Sequence, residues 1–217
     1  MAASSFHLTW GGLPSAVTEV SVDCQVVVPP SVERLYFWAL QVTFEDGSGA
    51  HTGLQWNPRH PGSRAANWGG YAARGGGLLR GSESPLPSTP DDPNTRDLWW
   101  EPGRPYRFRV WAPEPGRWRA SLGEAVVRDL FAPGTTLRSP MVWSEVFAGC
   151  DDPSVMVRWS SFEALDREGR PVTPDRMLVN YQRDGCTNTS SVPDGRSVLQ
   201  VTNTDRITAQ GAVLDLR

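Results

Sequence analysis

The chain has 217 residues, 39% of them hydrophobic, with 21 basic against 24 acidic groups for a net charge of -3. That is enough to bury one core with decorated loops, and it offers no basic tail or patch to draw nucleic acid or an acidic membrane as partner. All 21 basic residues are arginine, in keeping with a GC-rich bacterial genome, and a chain without lysine has neither a Schiff-base lysine nor a phosphate loop of the G-x-x-x-x-G-K-[ST] type.

Met1 to Gly12 lacks a basic n-region and an apolar h-region, and no later stretch nears the ~20 apolar residues of a membrane span. A cytoplasmic protein is expected. Val20, Val22, Cys24, Val26 and Val28 alternate with polar residues, which predicts a half-buried strand. From Leu35 to Phe44 one face carries Tyr36, Trp38, Leu40, Val42 and Phe44, while Leu35, Phe37 and Ala39 make the other face partly apolar, as in a central strand. Further strands are predicted over 50–56, 66–72, 106–111, 117–122, 125–130, 141–147, 154–160, 177–181, 197–202 and 212–216, separated by turns such as Glu45-Asp46-Gly47 and Asp194-Gly195. A short helical turn is possible near Ser161 to Arg167. No segment has sustained helical periodicity, so the strands pair antiparallel in an all-β chain. We expect one domain over 1–217 with a long irregular loop at about 75–105, predicted to be mobile and to close over ligand with Trp99 and Trp100. Cys24, Cys150 and Cys186 are odd in number and lack C-x-x-C spacing, which predicts free thiols. A Cys150–Cys186 bridge would require an oxidising compartment, the only place where the Asn188-Thr189-Ser190 sequon would matter.

The aromatic strand Tyr36 to Phe44, then Gly53-Leu54-Gln55, Asn67-Trp68-Gly69-Gly70, a glycine-rich loop, Trp100-Glu101-Pro102-Gly103 running into Phe108, Trp118, Leu130 and Trp143-Ser144-Glu145-Val146-Phe147 form an ordered pattern. Over Leu35 to Phe147 this pattern resembles an uncharacterised family of bacterial β-sandwich domains related in architecture to concanavalin A-like lectins and glucanases. The resemblance implies an antiparallel two-sheet β-sandwich of jelly-roll type and carries no activity. The E-x-D-x-E strand of laminarinase-like relatives is absent.

Ten tryptophans are present. Trp38, Trp118 and Trp159 share strand faces with apolar residues and are expected in the core, whereas Trp56, Trp68, Trp99 and Trp100 lie at strand ends or beside the irregular loop, where a ring could stack on a ligand. The runs Gln55-Trp56-Asn57 and Asn67-Trp68-Gly69-Gly70-Tyr71 add amides that bond hydroxyls; an edge hairpin with turn-satisfying amides is the structural alternative. Arg107 and Arg109 share a strand face and could grip an anionic group or simply be solvated. Trp143 and Glu145 point the same way, so Glu145 is the candidate acid or base, with a salt bridge to a sheet arginine as the plainer account. No metal site is indicated: His7, His51 and His60 lack ligand spacing, and Asp91, Asp92, Asn94 and Asp97 lack the pattern of a calcium loop. No cofactor is indicated either.

These residues point first to a domain binding a carbohydrate or other small molecule, with Gln55, Trp56, Asn67, Trp68, Tyr71, Trp99, Trp100, Arg107, Arg109 and Trp143 as candidate contacts. The alternatives are an intracellular enzyme of cyclase or isomerase type, using an aromatic pocket and Glu145, and a protein-interaction module. The oligomeric state is not written in the sequence.

Overall fold

The computed structural model describes residues 4–87 and 92–217. The strands of the first half are β1 (Ser4–Gly11), β2 (Glu19–Val28), β3 (Tyr36–Phe44), β4 (Gly49–Trp56), β5 (Arg64–Tyr71), β6 (Thr95–Asp97), β7 (Pro105–Glu114) and β8 (Arg117–Leu122). They are followed by β9 (Ala125–Phe131), β10 (Leu137–Val146), β11 (Met156–Leu165), β12 (Pro171–Val172), β13 (Arg176–Tyr181), β14 (Thr189–Asp194), β15 (Ser197–Thr202) and β16 (Val213–Asp215). Two antiparallel sheets result. The first runs β16-β13-β1-β10-β3-β4-β5-β6, and the second β14-β15-β11-β2-β7-β8-β9 with β12 on β11. The antiparallel two-sheet sandwich implied by the resemblance is the observed fold, and its strands pair antiparallel as the alternation predicts.

Between the sheets lies one continuous apolar core. It takes Val20, Val22, Cys24 and Val26 from β2 and Tyr36, Trp38, Leu40, Val42 and Phe44 from β3, the faces that period-two alternation selects. Trp38, Trp68, Trp100, Trp118 and Trp159 are its largest fully buried side chains. Indole N–H groups among them find buried acceptors: Trp68 donates to the Trp118 carbonyl, Trp118 to Ala132, Trp100 to Gln55, and Trp159 to the Gln200 side chain. Large apolar area is thus buried without orphaned donors at these four rings.

Four features depart from the sequence reading. Phe6, Leu8 and Trp10 alternate into the core from β1, a strand between β10 and β13 that the sequence reading passes over. Where the sequence allowed a short helical turn, from Ser161 to Arg167, β11 instead continues to Leu165, with a bulge between Ser160 and Glu163 at which Ser161 takes φ +53°. The loop at 75–105 is tied down in places: Leu79 N–H donates to Gly70, Phe131 N–H to Arg80, and Thr95–Asp97 joins the sheet edge, while residues 88–91 lie outside the described residues. Asp91, one of the acidic residues considered for calcium, falls in that stretch.

The fourth departure corrects the expectation of three free thiols. Cys150 and Cys186 form a disulfide, with Cα atoms 5.4 Å apart, and Cys24 alone is free and buried. Such bonds persist in oxidising compartments, which speaks against the cytoplasmic expectation. No helix among the described residues is long and apolar enough to cross a membrane. The bond closes a loop across 36 residues of sequence, for which chain-entropy arguments give about 4 kcal/mol. Reduction, or Cys150→Ser with Cys186→Ser, is therefore expected to lower the unfolding free energy by about 2–4 kcal/mol, read from urea denaturation with and without reductant. An unchanged midpoint in the reduced protein would contradict it.

Candidate functional site

Residues directly opposite one another on neighbouring strands share a face, so the register of the first sheet lays its outer surface out in rows. One row reads Ser5, Glu145, Phe37, Gln55, Ala65 and Asp97 across β1, β10, β3, β4, β5 and β6. The next reads His7, Trp143, Ala39, Gly53, Asn67 and Thr95. A third brings Thr9, Met141, Gln41, His51 and Gly69 together. Side chains from these rows, among them Glu145, Phe37, Gln55, Trp143, Asn67 and His51, line a groove of about 840 Å3, with Tyr71, Glu33, Arg59 and Asp92 also on its lining. Small residues at its centre keep it open. A Cβ on Gly53 would lie 1.8 Å from the Trp38 carbonyl oxygen, so only glycine lets β4 press this closely on β3.

A backbone irregularity sets which face Glu145 occupies. In β10 the pairing with β3 shifts between Arg138 and Met141, at Ser139 (φ +47°) and Pro140. Leu137, before the shift, is buried in the core; after it, Val142, Ser144 and Val146 face inward. One extra residue reverses the parity of the strand. Without it, Trp143 and Glu145 would point into the sandwich.

The floor is aromatic. Phe37 and Trp143 are 4% and 6% exposed and pack edge to face with ring centroids 4.9 Å apart, forming a small apolar cluster outside the main core. His51 stands 5.5 Å from Phe37 and 5.6 Å from Trp143 between ring centroids. Burial there pushes the His51 pKa down to about 4, so its imidazole is neutral above that pH. Burial likewise lowers the pKa of His7, with a backbone contact at Asn180 partly opposing it. Trp143 is oriented by donating its indole N–H to Gln41 Oε1 at 3.0 Å.

Two polar groups flank Phe37. Glu145 is half-buried, and desolvation raises its pKa above the ordinary carboxylate value, an effect partly offset by the Ser5 hydroxyl donating to it at 3.5 Å. No arginine pairs with it among the described residues, so the salt bridge considered from sequence is not made. Gln55, 5% exposed, accepts at Oε1 from Asn57 Nδ2 at 3.0 Å, and its Nε2 has no partner among the described residues. Beyond it, Asn67 donates to Thr95 Oγ1 at 3.1 Å while its own Oδ1 is buried without a partner.

Of the residues singled out from sequence, Gln55, Asn67, Tyr71, Trp143 and Glu145 meet on this groove. The other candidate contacts do not reach it. Trp68 and Trp100 are fully buried in the core. Trp56 points away from its neighbour Gln55, packs on the core and donates to the Val32 carbonyl. Trp99 is 65% exposed but carries the Arg64 guanidinium 4.1 Å from its ring centroid, outside the groove. Arg107 and Arg109 lie on the second sheet, where Arg109 forks onto Glu19 at 2.6 and 2.7 Å and Arg107 contacts Asp23, Ser21 and Glu163. The sequence reading passed over Phe37, weighed His7 and His51 only as metal ligands, and named Asn57 only within the amide run Gln55-Trp56-Asn57; all four line the groove. Phe37 was within reach, because its apolar side on a strand already buried by its other face marks a second packing surface.

A second hollow of about 450 Å3, lined by Ser160, Ser161, Phe162, Thr173 and Arg196, offers no carboxylate.

No protein-family model matches the chain, so none supports the resemblance to an uncharacterised bacterial family. No curated protein matches it either. Among solved structures, it is similar to a Scytalido-glutamic peptidase bound to a peptide based transition state analog, at 12% identity and TM-score 0.54, covering 91% of this chain and 97% of the other. It is also similar to SCP-B, a member of the Eqolisin family of peptidases in complex with the tripeptide Ala-Ile-His, at 12% identity and TM-score 0.50, covering 91% and 96%. A carbohydrate binding module, CBM66 from Bacillus subtilis, aligns over 67% of this chain and 79% of its own at 10% identity and TM-score 0.41. At such identities the likeness is one of fold: nearly the whole chain follows the β-sandwich of the two peptidases.

Proposed function

We propose that the groove hydrolyses amide bonds of peptides, with Glu145 as general base and acid and Gln55 as the donor that stabilises the oxyanion. The observation that carries this reading is the single row Glu145-Phe37-Gln55 across three adjacent strands. Two strand steps set the Cα atoms of Glu145 and Gln55 about 10 Å apart over an apolar floor, room for a substrate carbonyl and one water between the head groups. Ionised Glu145 takes a proton from water as the water oxygen bonds to the carbonyl carbon. The carbonyl oxygen gains negative charge and receives a hydrogen bond from Gln55 Nε2. Protonated Glu145 then passes its proton to the leaving nitrogen as the C–N bond breaks, giving one carboxylic acid and one amine. A raised pKa keeps both protonation states of Glu145 accessible in mildly acidic solution. The buried Asn67 Oδ1 supplies an acceptor for a substrate N–H. The peptide ligands of the two similar peptidases suggest the substrate class, and the disulfide suggests an extracellular or otherwise oxidising setting.

A second reading, capture of a glycan on the same groove, draws on Tyr71, whose ring is 57% exposed on the groove lining beside side-chain amides. The two readings separate on Gln55→Ala. With a pool of internally quenched peptides at pH 3–7, the proposal expects wild type to cleave and Gln55→Ala to lose about 10²–10³ in kcat. Wild-type rates in a folded Gln55→Ala would remove the oxyanion role, and a glycan array bound by a protein that cleaves no peptide would favour the second reading.

A further inference from the structure

The Gln55 amide works as an oxyanion donor only if its NH2 end, not its carbonyl, faces the substrate, and a free glutamine side chain has little preference between the two. The segment after β4 supplies one. The Arg59 backbone N–H, which can only donate, points at Asn57 Oδ1 at 3.1 Å. That fixes the oxygen end of Asn57 and leaves Nδ2 as the end that meets Gln55, at 3.0 Å from Oε1. Oε1 is thereby occupied, and Nε2 is the end of Gln55 left for the groove. Hydrogen bonds on both sides hold the segment in place. Asn57 N–H donates to Ser63 at 2.7 Å, His60 N–H donates to Asn57 at 2.9 Å, and His60 Nδ1 lies 2.6 Å from Asp97 Oδ1 on β6. Asn57 is itself only 9% exposed, so water does not readily replace the contact.

We propose that Asn57 is a positioning residue that sets the polarity of the Gln55 amide through a relay starting at the Arg59 N–H. The inference rests on the reading of Gln55 as oxyanion donor. It has a consequence that ordinary packing does not. In Asn57→Asp the Arg59 N–H still holds one carboxylate oxygen, and the other, an acceptor, now faces Gln55. The favoured response is rotation of the Gln55 amide, which puts Nε2 on the new carboxylate and Oε1 toward the substrate, where it repels the developing oxyanion. Protonation of the new carboxyl makes it a donor again and restores the original polarity.

The test compares wild type, Asn57→Asp, Asn57→Ser, Gln55→Ala and Glu145→Gln on the quenched-peptide pool between pH 3 and 7, with circular dichroism confirming each fold. Asn57→Asp is expected to lose roughly tenfold or more in kcat near pH 7, with KM little changed, and to recover as the pH falls through the titration of the new carboxyl. Asn57→Ser, whose hydroxyl both donates and accepts, loses less and shows no such recovery. An Asn57→Asp profile parallel to wild type, or identical profiles for the Asp and Ser variants, overturns the relay. If Gln55→Ala keeps the wild-type rate, or wild type cleaves nothing, the hydrolase reading fails instead. The relay is then read alone from 15N spectra: the Gln55 side-chain NH2 signals, identified by their loss in Gln55→Ala, shift in Asn57→Asp with a titration absent from wild type. Their failure to do so overturns the relay independently of activity.

Discussion

Glu145→Gln is expected to abolish peptide cleavage almost completely, with kcat falling by about 10²–10⁴ while the protein becomes more stable at neutral pH. Both effects come from the same burial. A carboxyl whose folded-state pKa lies above its unfolded value binds its proton more tightly in the native state. Its contribution to stability is present below the ordinary carboxylate pKa and is lost as the pH rises through the raised value. Above that window the native protein carries a poorly solvated charge that glutamine does not have. The melting temperature of Glu145→Gln should therefore exceed that of wild type at pH 7, and the difference should shrink as the pH falls through the raised value and be gone below about 4. A variant equally active, or less stable than wild type at pH 7, would contradict the placement of Glu145 as a desolvated catalytic group.

Trp68→Ala is expected to act through stability alone, costing ~3–5 kcal/mol, the usual scale for truncating a buried aromatic. The ring is fully buried, and its indole N–H donates to the Trp118 carbonyl at 3.3 Å. The loss therefore leaves a cavity in the core and removes a buried hydrogen bond. For a chain of this size the melting temperature should fall by about 10 °C or more. Trp99→Ala is the internal control: its ring is 65% exposed and carries the Arg64 guanidinium, so its cost should stay within about 1 kcal/mol. Equal urea midpoints for the two variants would mean that Trp68 does not sit in the core.

The contrast between these two tryptophans shows what the sequence could and could not say. The pairs Gln55-Trp56 and Asn67-Trp68 each join an amide and a ring that are adjacent in a strand, and adjacent residues point to opposite faces. Only one of each pair could face a ligand, and in both the amide does while the ring packs inward. Period two alone contained that choice, and it likewise placed Trp143 and Glu145 together. It could not say that β10 lies beside β3 and β3 beside β4, the strand order that sets Glu145 across Phe37 from Gln55. Pro140 stands inside β10, where a proline marks a bulge, but the sequence reading starts that strand after it, and the parity change needs the pairing partner to be seen. The Cys150–Cys186 bond has the same character: its two loops are 36 residues apart in sequence and meet only in the folded chain.

If one carboxylate on this groove delivers water to a peptide carbonyl, isotope incorporation tests that step most directly. Wild type and Glu145→Gln are incubated with a defined pool of unlabelled peptides in 18O-water at mildly acidic pH, and the products are read by mass spectrometry before any exchange of their carboxyl oxygens. Wild-type fragments are expected to carry a single 18O in each new C-terminal carboxyl, with almost none arising from Glu145→Gln. Intact peptides after incubation with folded wild type, or the same labelled fragments from Glu145→Gln, would contradict the proposed role of Glu145.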